Sequence, residues 1–165
     1  MDKKCIVTGG AGFIGSHLVD KLVELNYDVT IIDNFSTGRI ENLNKSINQI
    51  NLIEADISKN AGWMKQFNGI DHVFHLAALA DIVPSIEKPL DYYNSNVNGT
   101  VNVLEASRKY KVNKIIYAAS SSCYGIPNEY PTNEKAEIRP QYPYALTKNL
   151  GEQLILHWSK IYGIK

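Results

Sequence analysis

"TGGAGFIGSHL", residues Thr8 to Leu18, carries four glycines at positions 9, 10, 12 and 15. Read from Gly10 the run is G-x-G-x-x-G; read from Gly9 it is G-x-x-G-x-x-G. Either register suits a pyrophosphate, because glycines let the backbone close on phosphate oxygens while a following helix aims its first amides at them. The flanks carry the rest. Upstream, KKCIVT (3–8) reads as a buried strand. Downstream, Phe13, Ile14, Leu18, Leu22, Val23 and Leu25 recur at helical spacing until Asn26 supplies a stop. DVTIID (28–33) then reads as a second strand, ending on Asp33. Strand, glycines, helix, strand and terminal carboxylate in this order are a dinucleotide-binding fingerprint, with Asp33 where an adenosine ribose offers its hydroxyls. A carboxylate there repels a 2′-phosphate, which favours NAD over NADP. Arg39, the nearby cation, reads as solvent-facing.

Further along, INLIEAD (50–56), DHVFHLA (71–77) and NKIIYAAS (113–120) are also short apolar runs rich in Val and Ile. Between them the pattern predicts a short helix over 39–47, a shorter one over 61–67, and a long one over 84–110 with Val97, Val101, Leu104 and Arg108 on one face. A last helix spans 142–162 with Leu146, Leu150, Leu154, Trp158 and Ile161 in register. Strands alternating with helices imply right-handed crossovers and an α/β fold: a Rossmann doubly wound parallel sheet with helices on both faces.

Composition narrows the classes. The 165 residues suit one domain, 1–165. Lys plus Arg and Asp plus Glu both number 17, so no basic excess marks a nucleic acid partner. Cys5 and Cys123 are too few for a disulfide framework or a zinc site, and the four histidines show no metal-ligand spacing. No apolar run reaches membrane-spanning length and Met1 to Lys4 is short and polar, so a cytoplasmic setting is expected. The N-x-S/T matches at Asn34, Asn44 and Asn98 are then incidental.

TGGAGFIG together with DNFSTG (33–38), ADI (55–57), HLAA (75–78), NVNGT (96–100), SSSCYG (120–125) and YALTK (144–148) resembles the extended short-chain dehydrogenase/reductase family of nucleotide-sugar epimerases and dehydratases. The resemblance implies that Gly9, Gly12 and Gly15 are the glycines that matter and that Gly10 is the accidental member of the other register. It places the Phe13 and Ile14 amides on the pyrophosphate, Asp33 and Asn34 on the adenosine ribose, Asp56 and Ile57 beside adenine, and Leu76, Ala77 and Ala78 on the nicotinamide side. Each of these falls at the carboxyl end of an expected strand, where open parallel sheets bind ligands.

The family's chemistry runs through Tyr-x-x-x-Lys, and the chain holds two such pairs. Tyr110 and Lys114 straddle a helix end and a strand start, so they should not share a face. Tyr144 and Lys148 lie within one helix, where a spacing of four puts both on one side. A neighbouring ammonium and a cationic nicotinamide favour the phenolate, which lets Tyr144 act as a base. Aligned on Tyr124–Gly125, Ser120 matches the family's Ser/Thr that hydrogen-bonds the reacting sugar hydroxyl. Asn96 matches the Asn that supports the lysine through water; it is counted with Tyr144 and Lys148 among the cofactor contacts.

Two departures bear on the reaction. Dehydratases of the family carry Asp and Glu after that serine, and decarboxylating members carry Glu at the second position; here both are serine, Ser121 and Ser122. Either could share the proton relay or touch the sugar, and Ser122 and Ser85 are the substrate-contact candidates. Cys123 stands where Val is usual and reads as packing. The resemblance thus implies an NAD-dependent nucleotide-sugar 4-epimerase of the UDP-glucose or UDP-N-acetylglucosamine type, which inverts C4 through a transient 4-keto sugar. The alternatives are a dehydratase or decarboxylase of the same family, and an NAD-binding module without turnover. The expectation is that the chain is the family's N-terminal portion without its C-terminal substrate domain. Such a chain would bind NAD, turn over sugar nucleotides negligibly and pair as a homodimer through the fourth and last helices. Ile164 would open a sixth strand.

Overall fold

A computed structural model describes residues 3–59 and 62–165. Five parallel strands form one sheet: β1 (Lys4–Thr8), β2 (Asp28–Asp33), β3 (Ile50–Glu54), β4 (His72–His75) and β5 (Lys114–Tyr117). Their order, β3-β2-β1-β4-β5, reverses direction at β1, and each neighbouring pair is parallel. That is the doubly wound arrangement, with its switch point between β1 and β4, so a crevice opens there at the carboxyl edge.

Both faces of the sheet are covered, and strand alternation divides the core in two. Cys5, Val7, Val29 and Ile31 point to one face, against Val19 and Leu22 of α1 (Phe13–Glu24) and against Leu43. Ile6, Ile32, Val73 and Ile115 point to the other, against Trp63, Phe67, Val103 and Leu104. This second face is closed by α4 (Gly99–Lys109) and by Leu154, Ile155 and Trp158 of α5 (Pro143–Tyr162). The Trp158 indole also donates to Glu105 Oε1 at 2.9 Å, tying α5 to α4.

Several connections differ from the sequence reading. The second crossover is no α-helix but two 3₁₀ turns, Ile40–Leu43 and Ile47–Gln49, of which only Leu43 is buried. Too few apolar residues face the sheet there to extend a helix. The third is a 3₁₀ segment, Gly62–Phe67, and Ala61, where a helix was expected to begin, lies outside the described residues. The long fourth pattern is broken. It holds α2 (Ile82–Glu87), α3 (Pro89–Tyr92), a π-helical turn (Tyr93–Asn98) and α4. Pro89 explains the first break, since proline cannot donate into a helix and disfavours helical backbone at Lys88. The π turn shifts the phase, so the buried face of this run is Val97, Thr100, Val103, Leu104 and Ser107, while Arg108 turns out to pair with Glu105. Helix α5 runs as expected, with Leu154 and Trp158 against the core, but its most deeply buried residues are Ala145, Thr147, Lys148 and Gly151, and Leu146 and Ile161 are exposed.

No sixth strand is assigned among the described residues. The end of the chain nevertheless lies along β5: Ile115 N–H donates to the Lys165 carbonyl, Lys165 N–H donates to the Asn113 carbonyl, and Ile164 is buried.

Candidate active site

The glycine stretch forms a tight turn from β1 into α1, and each glycine has its own reason. Gly9 has φ +72°, and a Cβ there would stand 2.7 Å from the Ala77 amide nitrogen. At Gly15 a Cβ would overlap the Gly9 carbonyl oxygen, so turn and helix touch through backbone alone. Gly12, the N-cap of α1, is looser: its nearest atom would be the Gly9 oxygen at 3.3 Å, and the residue lines the crevice. Gly10 is not accidental. A Cβ there would meet Ile31 Cγ2 at 2.7 Å, so the turn could not pack on β2. One register therefore builds the cradle and the extra glycine seats it on the core.

Phe13 and Ile14 open α1 with their side chains exposed, and their amides belong to the helix's unpaired first turn. Asp33 is 7% exposed at the end of β2, where Oδ2 accepts from Ala11 N–H and Oδ1 from Phe35 N–H, both at 2.9 Å. The carboxylate thus locks the glycine turn to the loop after β2 while keeping free lone pairs toward the crevice. Gly38 is needed for the same closure, since a Cβ there would stand 2.9 Å from Ala11 Cβ and 3.0 Å from Asp33 Oδ1. Asn34 is exposed on the rim and accepts from Ser36 N–H; Arg39 is exposed too, although its amide donates to the Ala11 carbonyl.

The crevice wall is completed by Asp56 and Ile57 after β3 and by Leu76, Ala77 and Ala78 after β4. Asp56 Oδ1 accepts from the Ser58 amide and hydroxyl, which folds the turn. One side of this cleft thus offers glycine backbone and helix amides, with a carboxylate behind them and apolar side chains opposite. The residues fit a dinucleotide: Gly9 and Gly12 line the crevice together with Asp33, and the backbone contacts that only glycine allows at positions 9 and 15 bring the start of α1 against the turn.

On the far side of β4, Ser120 follows β5 and caps the turn Ser121–Tyr124, its Oγ accepting from Ser122 N–H. Tyr144, in the first turn of α5, directs its hydroxyl to Ser120 Oγ at 3.4 Å. One helical turn on, Lys148 is 4% exposed with its Nζ 4.2 Å from the centroid of the Tyr117 ring. Burial pulls the ammonium's pKa down to about 8, with the nearby Cys123 opposing the shift. Cys123 is buried with its Sγ 3.5 Å from the Ala145 carbonyl oxygen, as a packing residue would be. The competing pair is split: Tyr110 caps the end of α4 and Lys114 starts β5, exposed, at the opposite edge of the sheet.

Asn96 and Ser85 are both buried. Asn96 is fully buried in the π turn; Oδ1 accepts from Leu79 N–H at 2.8 Å, and Nδ2 donates to the Leu79 carbonyl and to Thr147 Oγ1. It braces the loop after β4 against α5. Ser85 is not in a loop but in α2, wholly buried, its hydroxyl donating to the Ile82 carbonyl at 2.6 Å. Ser122 is half-buried beside Ser120, whereas Ser121 is exposed.

A buried polar chain runs beneath the site that sequence reading passed over. Thr100 Oγ1 donates to the Asn96 carbonyl at 2.6 Å, so it accepts from His75 Nε2–H at 2.9 Å; His75 Nδ1 then accepts from Thr8 Oγ1 at 2.7 Å, which itself accepts from Ala77 N–H. Both imidazole nitrogens are used and one tautomer is specified. Burial, with the Lys148 charge behind it, drives the His75 pKa down to about 3. Only an isolated "HLAA" could have pointed to it. No group of three metal-ligating side chains lies together among the described residues, and no helix there is long and apolar enough to cross a membrane.

Comparison with known proteins agrees with this geometry. A Methanocaldococcus jannaschii protein with the provisional name UDP-glucose 4-epimerase is 44% identical, covering 97% of this chain and 52% of its own length. The UDP-N-acetyl-alpha-D-glucosaminuronate decarboxylase of Bacillus cytotoxicus is 36% identical, over 96% of this chain and 51% of its own. The crystal structure of UDP-glucose 4-epimerase from Brucella ovis in complex with NAD superposes with a TM-score of 0.92 at 32% identity, over 99% of this chain and 50% of that one. The chain therefore spans about half the length of these relatives. A family model matches residues 5–165, from the first strand through the Tyr–Lys helix, and the chain belongs to the NAD dependent epimerase/dehydratase family.

Proposed function

We propose that this chain supplies the NAD-binding and proton-transferring part of a nucleotide-sugar 4-epimerase acting on a UDP-hexose or UDP-N-acetylhexosamine. The observation that carries the reading is the approach of Tyr144 Oη to Ser120 Oγ, 3.4 Å apart, with buried Lys148 on the same side of α5 and the glycine cradle across the crevice. Gly9 and Gly12 line the place for the pyrophosphate beside the Phe13 and Ile14 amides, Gly15 lets α1 close on the turn, Asp33 and Asn34 receive the adenosine ribose, and Asp33 disfavours a 2′-phosphate. Asp56 and Ile57 border the adenine; Leu76, Ala77 and Ala78 line the nicotinamide side. Bound NAD supplies the site that takes hydride from the sugar C4 and returns it.

The chain's own residues handle the proton. Tyr144 takes it from the C4 hydroxyl, Ser120 hydrogen-bonds the same oxygen, and the Lys148 ammonium favours the phenolate and holds the nicotinamide ribose. Asn96 contributes by fixing the loop after β4, and Ser122 is the serine placed to meet the sugar. Neither Ser121 nor Ser122 can supply an acid, which disfavours elimination and decarboxylation despite the decarboxylase among the relatives. We place residues 1–165 in one NAD-binding unit that pairs as a homodimer through α4 and α5 and acts in the cytoplasm. The test is incubation of the complete enzyme with UDP-, TDP- and GDP-sugars, watching C4. Inversion of a UDP-sugar with no net redox change is expected. Loss of CO₂ or water without inversion would refute it.

A further inference from the structure

The structure assigns to Tyr117 the role of a positioning residue: its ring is the platform on which the Lys148 ammonium stands, and through it β5 sets where that ammonium meets the cofactor. The cofactor clause rests on the function proposed above; the platform itself does not. Lys148 Nζ lies 4.2 Å from the ring centroid, at 4% exposure, so the ring takes the place of lost water on that side. The ring is held at three points. Its hydroxyl donates to the Lys148 carbonyl at 3.3 Å, which fixes it to the residue it serves. It meets the His75 imidazole at a centroid distance of 5.6 Å, tilted 41°. Gly151, one turn past Lys148, opens the space for its outer end: a Cβ there would overlap the Tyr117 hydroxyl and stand 2.9 Å from Cζ.

The chemistry follows from the neighbours. Against Lys148 lie the Tyr117 ring from β5, His75 from β4 and Cys123 from the turn after β5, while Tyr144 and Glu152 from α5 flank Tyr117. Burial holds His75 neutral near pH 7, and it raises both the Cys123 thiol and the Tyr117 phenol above their ordinary values, so both keep their protons. Among the described residues no carboxylate forms a salt bridge with Lys148, and the aromatic face is the group that stands directly against its ammonium. A flexible four-carbon stem would otherwise let the ammonium swing toward water.

The test uses the chain labelled with lysine ¹³C at Cε, the Lys148 signal being identified by its absence in Lys148→Arg. Ring shielding should displace the Lys148 Hε resonances upfield of every other lysine, and Tyr117→Leu should abolish that displacement. Tyr117→Phe should keep it. Incorporating 3,4,5-trifluorophenylalanine at 117 keeps the shape but weakens the ring's negative face. Relative to Tyr117→Phe it should lower the Lys148 titration midpoint by about half to one pH unit while leaving Tm alone. Lys148 Hε at ordinary lysine positions, or equal midpoints for the Phe and trifluoro proteins, would overturn the platform. NAD affinity, measured by calorimetry between the two midpoints, should fall several-fold in the trifluoro protein. A midpoint that moves without any change in NAD affinity would leave the platform standing and overturn the assignment of Lys148 to the cofactor.

Discussion

Removing the Asp33 carboxylate should unfold the glycine turn as well as weaken cofactor binding. The side chain is 7% exposed and accepts two backbone amides, Ala11 N–H and Phe35 N–H, each at 2.9 Å. Asp33→Ala orphans both, at about 1–3 kcal/mol for each buried donor left unsatisfied, so a loss of roughly 2–6 kcal/mol is expected. Asp33→Asn keeps one acceptor oxygen and turns an NH₂ toward the other donor, so about half that loss is expected. For a domain of this size 1 kcal/mol moves Tm by about 2–4 °C, which puts Asp33→Ala roughly 4–24 °C below the parent. Urea unfolding and thermal scans without NAD measure this. Calorimetry on the folded proteins should then show weaker NAD binding in both variants, because the turn no longer holds the cradle shut. If Asp33→Asn and Asp33→Ala both unfold within about 0.5 kcal/mol of the parent, the carboxylate does not lock the turn. Its hydrogen bonds would then be worth no more than water's.

The glycines should separate stability from binding: Gly15→Ala, driven into the Gly9 carbonyl, should lose both, while Gly12→Ala, whose Cβ would stand 3.3 Å from that oxygen and needs only a small shift, should lose less stability and still lose NAD affinity in calorimetry. Because the folded His75 pKa of about 3 lies below the ordinary 6.5, the unfolded chain binds the extra proton, and folding stability should fall as pH drops below 6.5. Urea titrations between pH 6.5 and 5 should show a slope approaching about 1.4 kcal/mol per pH unit that His75→Gln flattens. The parent protein should bind NAD more tightly than NADP; equal affinities would remove Asp33 as the selector. In the complete enzyme Tyr144→Phe should abolish C4 inversion with NAD still bound, and Tyr110→Phe should be nearly silent; the opposite pattern would transfer the role to the other tyrosine.

Much was determined locally, because the fold's signals are local. The period of apolar residues in 3–33 and the glycines between them dictate a strand, a turn and a helix, and Asp33 at the strand end follows from counting. The strand positions, helix α5 and the Tyr144–Lys148 pair are legible because a spacing of four on a helix means one side. What the chain order could not contain was phase and depth. Pro89 and the π turn after it rotated the inward face of α4, burying Asn96 and Thr100 and turning Arg108 outward. Ser85 became a buried helix residue, and Gly10 acquired a partner in Ile31, for the same reason: each outcome depends on an atom from a distant element. Tyr117 lies in no motif, and the motifs that begin at Thr8 and His75 do not say that the two side chains meet. Their role exists only once β1, β4, β5 and α5 stand side by side, since a buried hydrogen bond or an aromatic face acquires its energy from water excluded by tertiary packing.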